Sequence, residues 1–114
     1  MATHRIFQIN ELIKKELSQI LLREDLIPAG HLVTITKADT TRDLSQARIT
    51  ISILPNTGQE EILHWLQKKA GPIQHLLGKK IILRKIPKIL FELDKTLENV
   101  SHIDSLIDKI HRDE

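Results

Sequence analysis

Ala47, Ile49, Ile51 and Ile53 alternate with Arg48, Thr50 and Ser52, and no other stretch of the chain constrains its fold so strongly. A period of two puts the apolar set on one face of a β-strand and the hydrophilic set on the other. Such a strand packs against a second layer on one side and leaves its other side open. The run from Leu32 to Ala38, rich in β-branched residues, reads as its partner. The polar stretch 40–46, with Arg42 and Asp43, reads as a hairpin loop short enough to make the pair antiparallel.

The second layer is helical. Ile6, Ile9, Ile13, Leu17, Ile20 and Leu21 recur at helical spacing, with Asn10, Glu11, Lys14 and Ser18 on the other side, which predicts an amphipathic helix of about five turns. Pro28, Ala29 and Gly30 interrupt it. Thr57 followed by Glu60 has capping-box spacing, so a second helix is expected to begin there and to turn Ile62, Leu63, Leu66, Ala70, Ile73 and Leu77 inward. Ala70-Gly71-Pro72 falls within it: Pro72 has no donor for the carbonyl of Lys68 and its ring crowds that carbonyl, so the helix bends or restarts. Gly78 is expected to close the second half at its C-terminal cap.

A third strand is expected from Ile81 to about Leu93, with Pro87 marking an edge position or a bulge. Thr96 would then cap a last helix that buries Val100, Ile103, Leu106, Ile107 and Ile110. The helical excursion between the second and third strands is long enough for a right-handed crossover, so those two strands can lie parallel. The order α-β-β-α(kinked)α-β-α gives an α+β fold, a three-stranded mixed sheet with helices on one face, the arrangement of a type II KH-like domain. At 114 residues the chain fits one such domain, 1–114, with a core of about 5–110 and short flexible termini.

Charge is distributed unevenly along this frame. Between Glu61 and Glu92 there is no acidic residue, while Lys68, Lys69, Lys79, Lys80, Arg84, Lys85 and Lys88 all fall inside that window. Residues 1–54 hold seven basic and six acidic groups and residues 89–114 hold three and seven, so a net charge of +2 conceals a basic middle that suits a polyanion. Aromatic platforms for bases are scarce, since only Phe7, Trp65 and Phe91 could stack and there is no Tyr. Trp65, adjoining Ile62 and Leu66, is expected at the partly buried edge of the core.

Short motifs then carry a resemblance. Thr41-Arg42-Asp43-Leu44 precedes Ala47 and the strand, Leu76-Leu77-Gly78-Lys79 follows, and Leu83-Arg84-x-x-Pro87-x-x-x-Phe91-x-x-Asp94 completes the order. With these motifs the chain resembles the ribosome-binding factor A family from about Arg5 to Ile110. That family is described as KH-like, with a kinked helix in place of the ordinary Gly-x-x-Gly loop. Gly30, Gly58, Gly71 and Gly78 form no such pair. The kink reads Lys69-Ala70-Gly71 where the family tends to show Ala-x-Gly, and Ile73-Gln74 stands where an Ile-Arg pair is expected.

The resemblance implies a cytoplasmic assembly factor that binds the free or immature small (30S) ribosomal subunit and its 16S rRNA. It would promote late maturation and 5′-end processing of that RNA and leave before translation. It implies a monomer that works without ATP, metal or cofactor, helped off the subunit by a GTPase. The RNA-binding candidates are Lys68, Lys69, Lys79, Lys80, Arg84, Lys85 and Lys88, with Arg5 and Arg42, and the structural kink is Ala70, Gly71 and Pro72.

Other chemistry finds little purchase. Cysteine is absent, which excludes disulfides, thiolate nucleophiles and Cys-based zinc sites. His64 and His75 would lie about 16 Å apart along an unbroken helix, too far to share an ion. The pairs Asp39 with Asp43 and Asp104 with Asp108 have no nucleophile or oxyanion element attached, so no enzyme is expected. No signal peptide and no membrane-spanning stretch is evident. Two alternatives to the assembly factor are a generic KH-like single-strand RNA binder, disfavoured by the missing Gly-x-x-Gly loop, and a protein-protein adaptor pairing through Ile81 to Leu93 or its edge.

Overall fold

The alternating strand sits at the centre of the molecule. In the computed structural model, which describes residues 2–24 and 26–95, it runs as β2 (Gln46–Leu54) between β1 (Leu32–Thr40) and β3 (Lys88–Leu93) in the order β1-β2-β3. β1 pairs antiparallel with β2, as the short turn dictates, and β3 pairs parallel with it, as the long helical connection allows. Ala47, Ile49, Ile51 and Ile53 are buried, while Gln46 and Arg48 on the other face are exposed and Thr50 and Ser52 half-exposed. Each fully buried isoleucine stabilises the fold by about 1.5–3 kcal/mol relative to exposure.

β1 keeps its inner face only by means of a bulge. The pairing shifts between Ile35 and Lys37, and Thr36 is the extra residue, its hydroxyl donating to the carbonyl of Thr50 at 3.2 Å. For that reason Ile35 and Ala38, three apart in sequence, are both buried, and the strand extends to Thr40 rather than ending at Ala38.

Helix α1 (Ala2–Arg23) packs on β1 and on α3 through Ile9, Ile13, Leu17, Ile20 and Leu21. Asn10 fastens its first half to the sheet by accepting the Thr40 backbone N–H at 2.8 Å. α2 (Gln59–Lys68) and α3 (Ala70–Lys80) lie against β3 and bury Ile62, Leu66, Ile73 and Leu77 on the same side of the sheet.

Several boundaries differ from the sequence reading. Gly58, in the left-handed region at φ 76, is the N-cap of α2 and no side chain caps the helix, so Thr57 does not form the expected box. The helix breaks at Lys69, ahead of Gly71, and Pro72 falls in the first turn of α3. Gly78 is inside α3 rather than at its cap; extended Ile81 ends the helix, and a Cβ at position 78 would meet Ile86 Cγ1 at 3.4 Å.

The third strand is half the expected length. Residues 81–87 form a linker with no ladder, anchored by buried Ile81 and Pro87, so Pro87 precedes β3 instead of marking an edge or bulge within it. The helix expected from Thr96, with Val100, Ile103, Leu106, Ile107 and Ile110, lies outside the described residues.

Candidate nucleic-acid interface

Three separate segments bring their cations to one place. Arg84 and Lys85 from the linker, Arg5 from α1 and Arg42 from the β1–β2 turn line a groove of about 450 Å³, together with Asp43 and the apolar Ile6, Ile9 and Leu44. Lys85 also lines an adjoining groove of about 590 Å³, which contains Lys88, Gln67 and Gln74. Arg42 reaches a third depression of about 390 Å³ beside Arg48 and Asp39. Arg42 and Lys85 therefore join three concavities into one surface.

The remaining candidates sit elsewhere. Lys68, Lys79 and Lys80 are exposed at the ends of α2 and α3 and line none of these grooves. Lys69 is half-buried at the helix break, with its Nζ 4.6 Å from the centroid of the Trp65 ring, a cation–π contact. Trp65 itself is 42% exposed, more open than its neighbours suggested, and its Nε1 donates to the Leu26 carbonyl at 2.9 Å. Phe91 is buried in the core, and Phe7 is exposed on α1 but lines none of the three grooves. Among the described residues no Phe or Trp side chain lines the three grooves.

The turn that carries Arg42 is held by one carboxylate. Asp43 Oδ1 accepts from the hydroxyls of Thr41 and Ser45, each at 2.8 Å, and from the Ser45 backbone N–H at 3.1 Å. The Ser45 hydroxyl first, then that of Thr41 and the Ser45 N–H, with a smaller contribution from the Lys85 charge, hold the Asp43 carboxyl down from 3.8 to about 2. Leu44, next in the turn, has φ 60, and its N–H donates to the Thr41 carbonyl at 2.9 Å.

Two glutamines to which the sequence assigns no role, Gln67 and Gln74, brace the other side. Gln67 accepts from the Phe91 N–H at 2.8 Å and donates to the Ile89 carbonyl at 3.2 Å, which occupies the outer edge of β3. Gln74 donates to the Ile86 carbonyl at 2.9 Å and fixes the linker just before Pro87. An edge engaged in this way is a poor template for an added strand, which weakens the adaptor reading. Glutamines on a helix give no sequence signal of such a role; only the pairing partner reveals it.

Among the described residues no cluster of three or more His, Asp or Glu is arranged to hold a metal ion, and no helix is long and apolar enough to cross a membrane. The concave, cationic and partly apolar surface suits a polyanion whose contacts are phosphates and exposed bases.

The fold and the sequence both have known counterparts. The crystal structure of ribosome-binding factor A from Thermus thermophilus superposes with a TM-score of 0.59 at 18% identity, covering 82% of this chain and 96% of that one. A Thermotoga maritima protein solved by NMR gives a TM-score of 0.66 at 22% identity, over 77% and 85%. Ribosome-binding factor A of Clostridium tetani is 38% identical over all of this chain and 96% of its own length. That of Natranaerobius thermophilus is 36% identical, covering 97% and 86%. Residues 5–107 match the family as a whole, and the chain therefore belongs to the ribosome-binding factor A family.

Proposed function

We propose that this protein is a ribosome assembly factor that binds the free or immature small (30S) subunit through its 16S rRNA. It promotes late maturation and 5′-end processing of that RNA and dissociates before translation, with a GTPase assisting release. The protein acts in the cytoplasm as a monomer, without catalysis and without a cofactor. Family membership supports the ribosome as partner. The observation that carries the reading to RNA is the convergence of Arg5, Arg42, Arg84 and Lys85, from three segments distant in sequence, on one groove. Cations placed this way contact phosphates and position the protein, while the shape of the folded RNA supplies selectivity.

The generic single-strand binder is less well supported. A Gly-x-x-Gly clamp has no counterpart, because α2 and α3 meet at Lys69 and Ala70. Gradient sedimentation of a cell extract tests the reading: the protein is expected to travel with free small subunits and to be absent from translating ribosomes. Cells lacking it should accumulate unprocessed small-subunit RNA. Migration with translating ribosomes, or only at the top of the gradient, would sink the proposal.

A further inference from the structure

Phosphate contacts alone do not account for the groove between α1, the β1–β2 turn and the linker. A surface built only for a sugar-phosphate backbone needs cations and no apolar floor, yet Ile6, Ile9 and Leu44 line this concavity together with the four basic side chains. Leu44 is there at a conformational cost. Its φ of 60 is the left-handed region, where residues with a Cβ are disfavoured by about 1–2 kcal/mol, and the matching position of short hairpin turns ordinarily takes glycine or asparagine. The three hydrogen bonds on Asp43 Oδ1 and the bond from the Leu44 N–H to Thr41 keep the turn in this shape. Leu44 packs in part against the core, and the portion it leaves open lines the cleft, so an outlier held this firmly points to a use for that open portion.

We propose that this groove seats one unstacked nucleobase of a folded RNA, lying on Ile6 and Leu44, with its flanking phosphates held by Arg5, Arg42, Arg84 and Lys85. The inference rests on the RNA-binding reading above and adds a ligand and a site to it. Its volume of about 450 Å³ lies in the range of clefts that enclose small organic ligands. With no aromatic ring lining the groove, guanidinium planes take the stacking role. Asp43 also faces the groove, but its Oδ1 is committed to the turn and Lys85 lies close enough to influence its titration, so its charge is partly offset toward an incoming phosphate.

The test uses the full chain and three RNA hairpins, identical except at one site: fully paired, with a single bulged adenosine, or with an abasic bulge. By fluorescence anisotropy at low salt, the adenosine bulge is expected to bind about 10-fold more tightly than the abasic one, the range of a single stacked base. Leu44→Gly relieves the left-handed strain while removing the floor and some packing on the core, and, in protein shown by its melt to be folded, should bring that ratio to near one without weakening the abasic complex. Leu44→Asn, which also tolerates this conformation, should behave alike and guards against a glycine-specific loosening of the turn. Equal affinity of the parent for the two bulges, an unchanged ratio in both variants, or no binding to any hairpin by a protein that still sediments with small subunits would overturn this inference alone. Failure to sediment with small subunits would overturn the assembly reading and the inference with it.

Discussion

Asp43 shows how much of the candidate interface depends on single side chains. Its carboxylate organises the turn that presents Arg42 and Leu44, using the hydroxyls on either side of it. Because its pKa is lowered to about 2 in the folded protein, its contribution to stability is complete above the unfolded value near 4 and disappears as pH falls through 2. The urea midpoint of the parent should therefore fall between pH 4 and pH 2 by more than that of Asp43→Asn. Above pH 5 the gap between the two proteins should not vary with pH. Parallel curves across the acid range would mean that the carboxylate is not held by Thr41 and Ser45. The Thr-Arg-Asp-Leu motif was visible in the sequence, but its left-handed leucine was not, since nothing in a residue's identity reports a φ that its neighbours impose.

At the scale of elements, period and connection length were informative and end points were not. The alternation in β2, the buried stripe of α1 and the parallel pairing of β3 follow from residue spacing, and each is present. The helix break was legible as an event and misplaced in position. Pro72 lacks the N–H that the carbonyl of Lys68 would accept, so the ladder fails four residues upstream of the ring and the chain turns at Lys69. β3 was read too long because Ile81, Ile82 and Leu83 have strand chemistry. Among the described residues they have no strand partner: Ile81 anchors in the core while Ile82 is fully exposed.

Two glycines of α3 look alike in sequence and differ in their surroundings. Gly71 is helical and has open space where a Cβ would go, so Gly71→Ala should stabilise the protein by about 0.5–1 kcal/mol. Gly78→Ala should gain less, since its Cβ would press on Ile86. Urea midpoints at unchanged slope decide the comparison. A larger gain at position 78 would mean that the linker yields easily and is not the fixed platform for Arg84 and Lys85 inferred from Gln74 and Pro87.

Over the whole molecule, the basic segment read from sequence and the surface found in the structure overlap only in part. A window of consecutive residues cannot show that Arg5 and Arg42 join Arg84 and Lys85, because that proximity is made by α1 and the hairpin returning to one end of the sheet. Nor can it show that Lys69 is engaged with Trp65. The structure therefore ranks the cations differently from their density in sequence. If Arg42, Arg84 and Lys85 each neutralise a phosphate, each contributes about 0.7–0.9 to the slope of log affinity against log salt. The triple variant Arg42→Gln, Arg84→Gln, Lys85→Gln should lower that slope by about 2–3 and weaken binding to small subunits most at low salt. Lys15, Arg23 and Lys37 are exposed cations outside the three grooves, and converting all three to Gln changes the net charge equally. That control should leave the slope within about one unit of the parent, since a long-range field is screened within about 10 Å at moderate salt while a direct contact is not. Both variants should melt close to the parent, as exposed substitutions usually shift stability by no more than about 0.5 kcal/mol. Equal slopes in the two variants would show that the protein is drawn to the subunit by net charge alone, and the groove would lose its claim to be the contact.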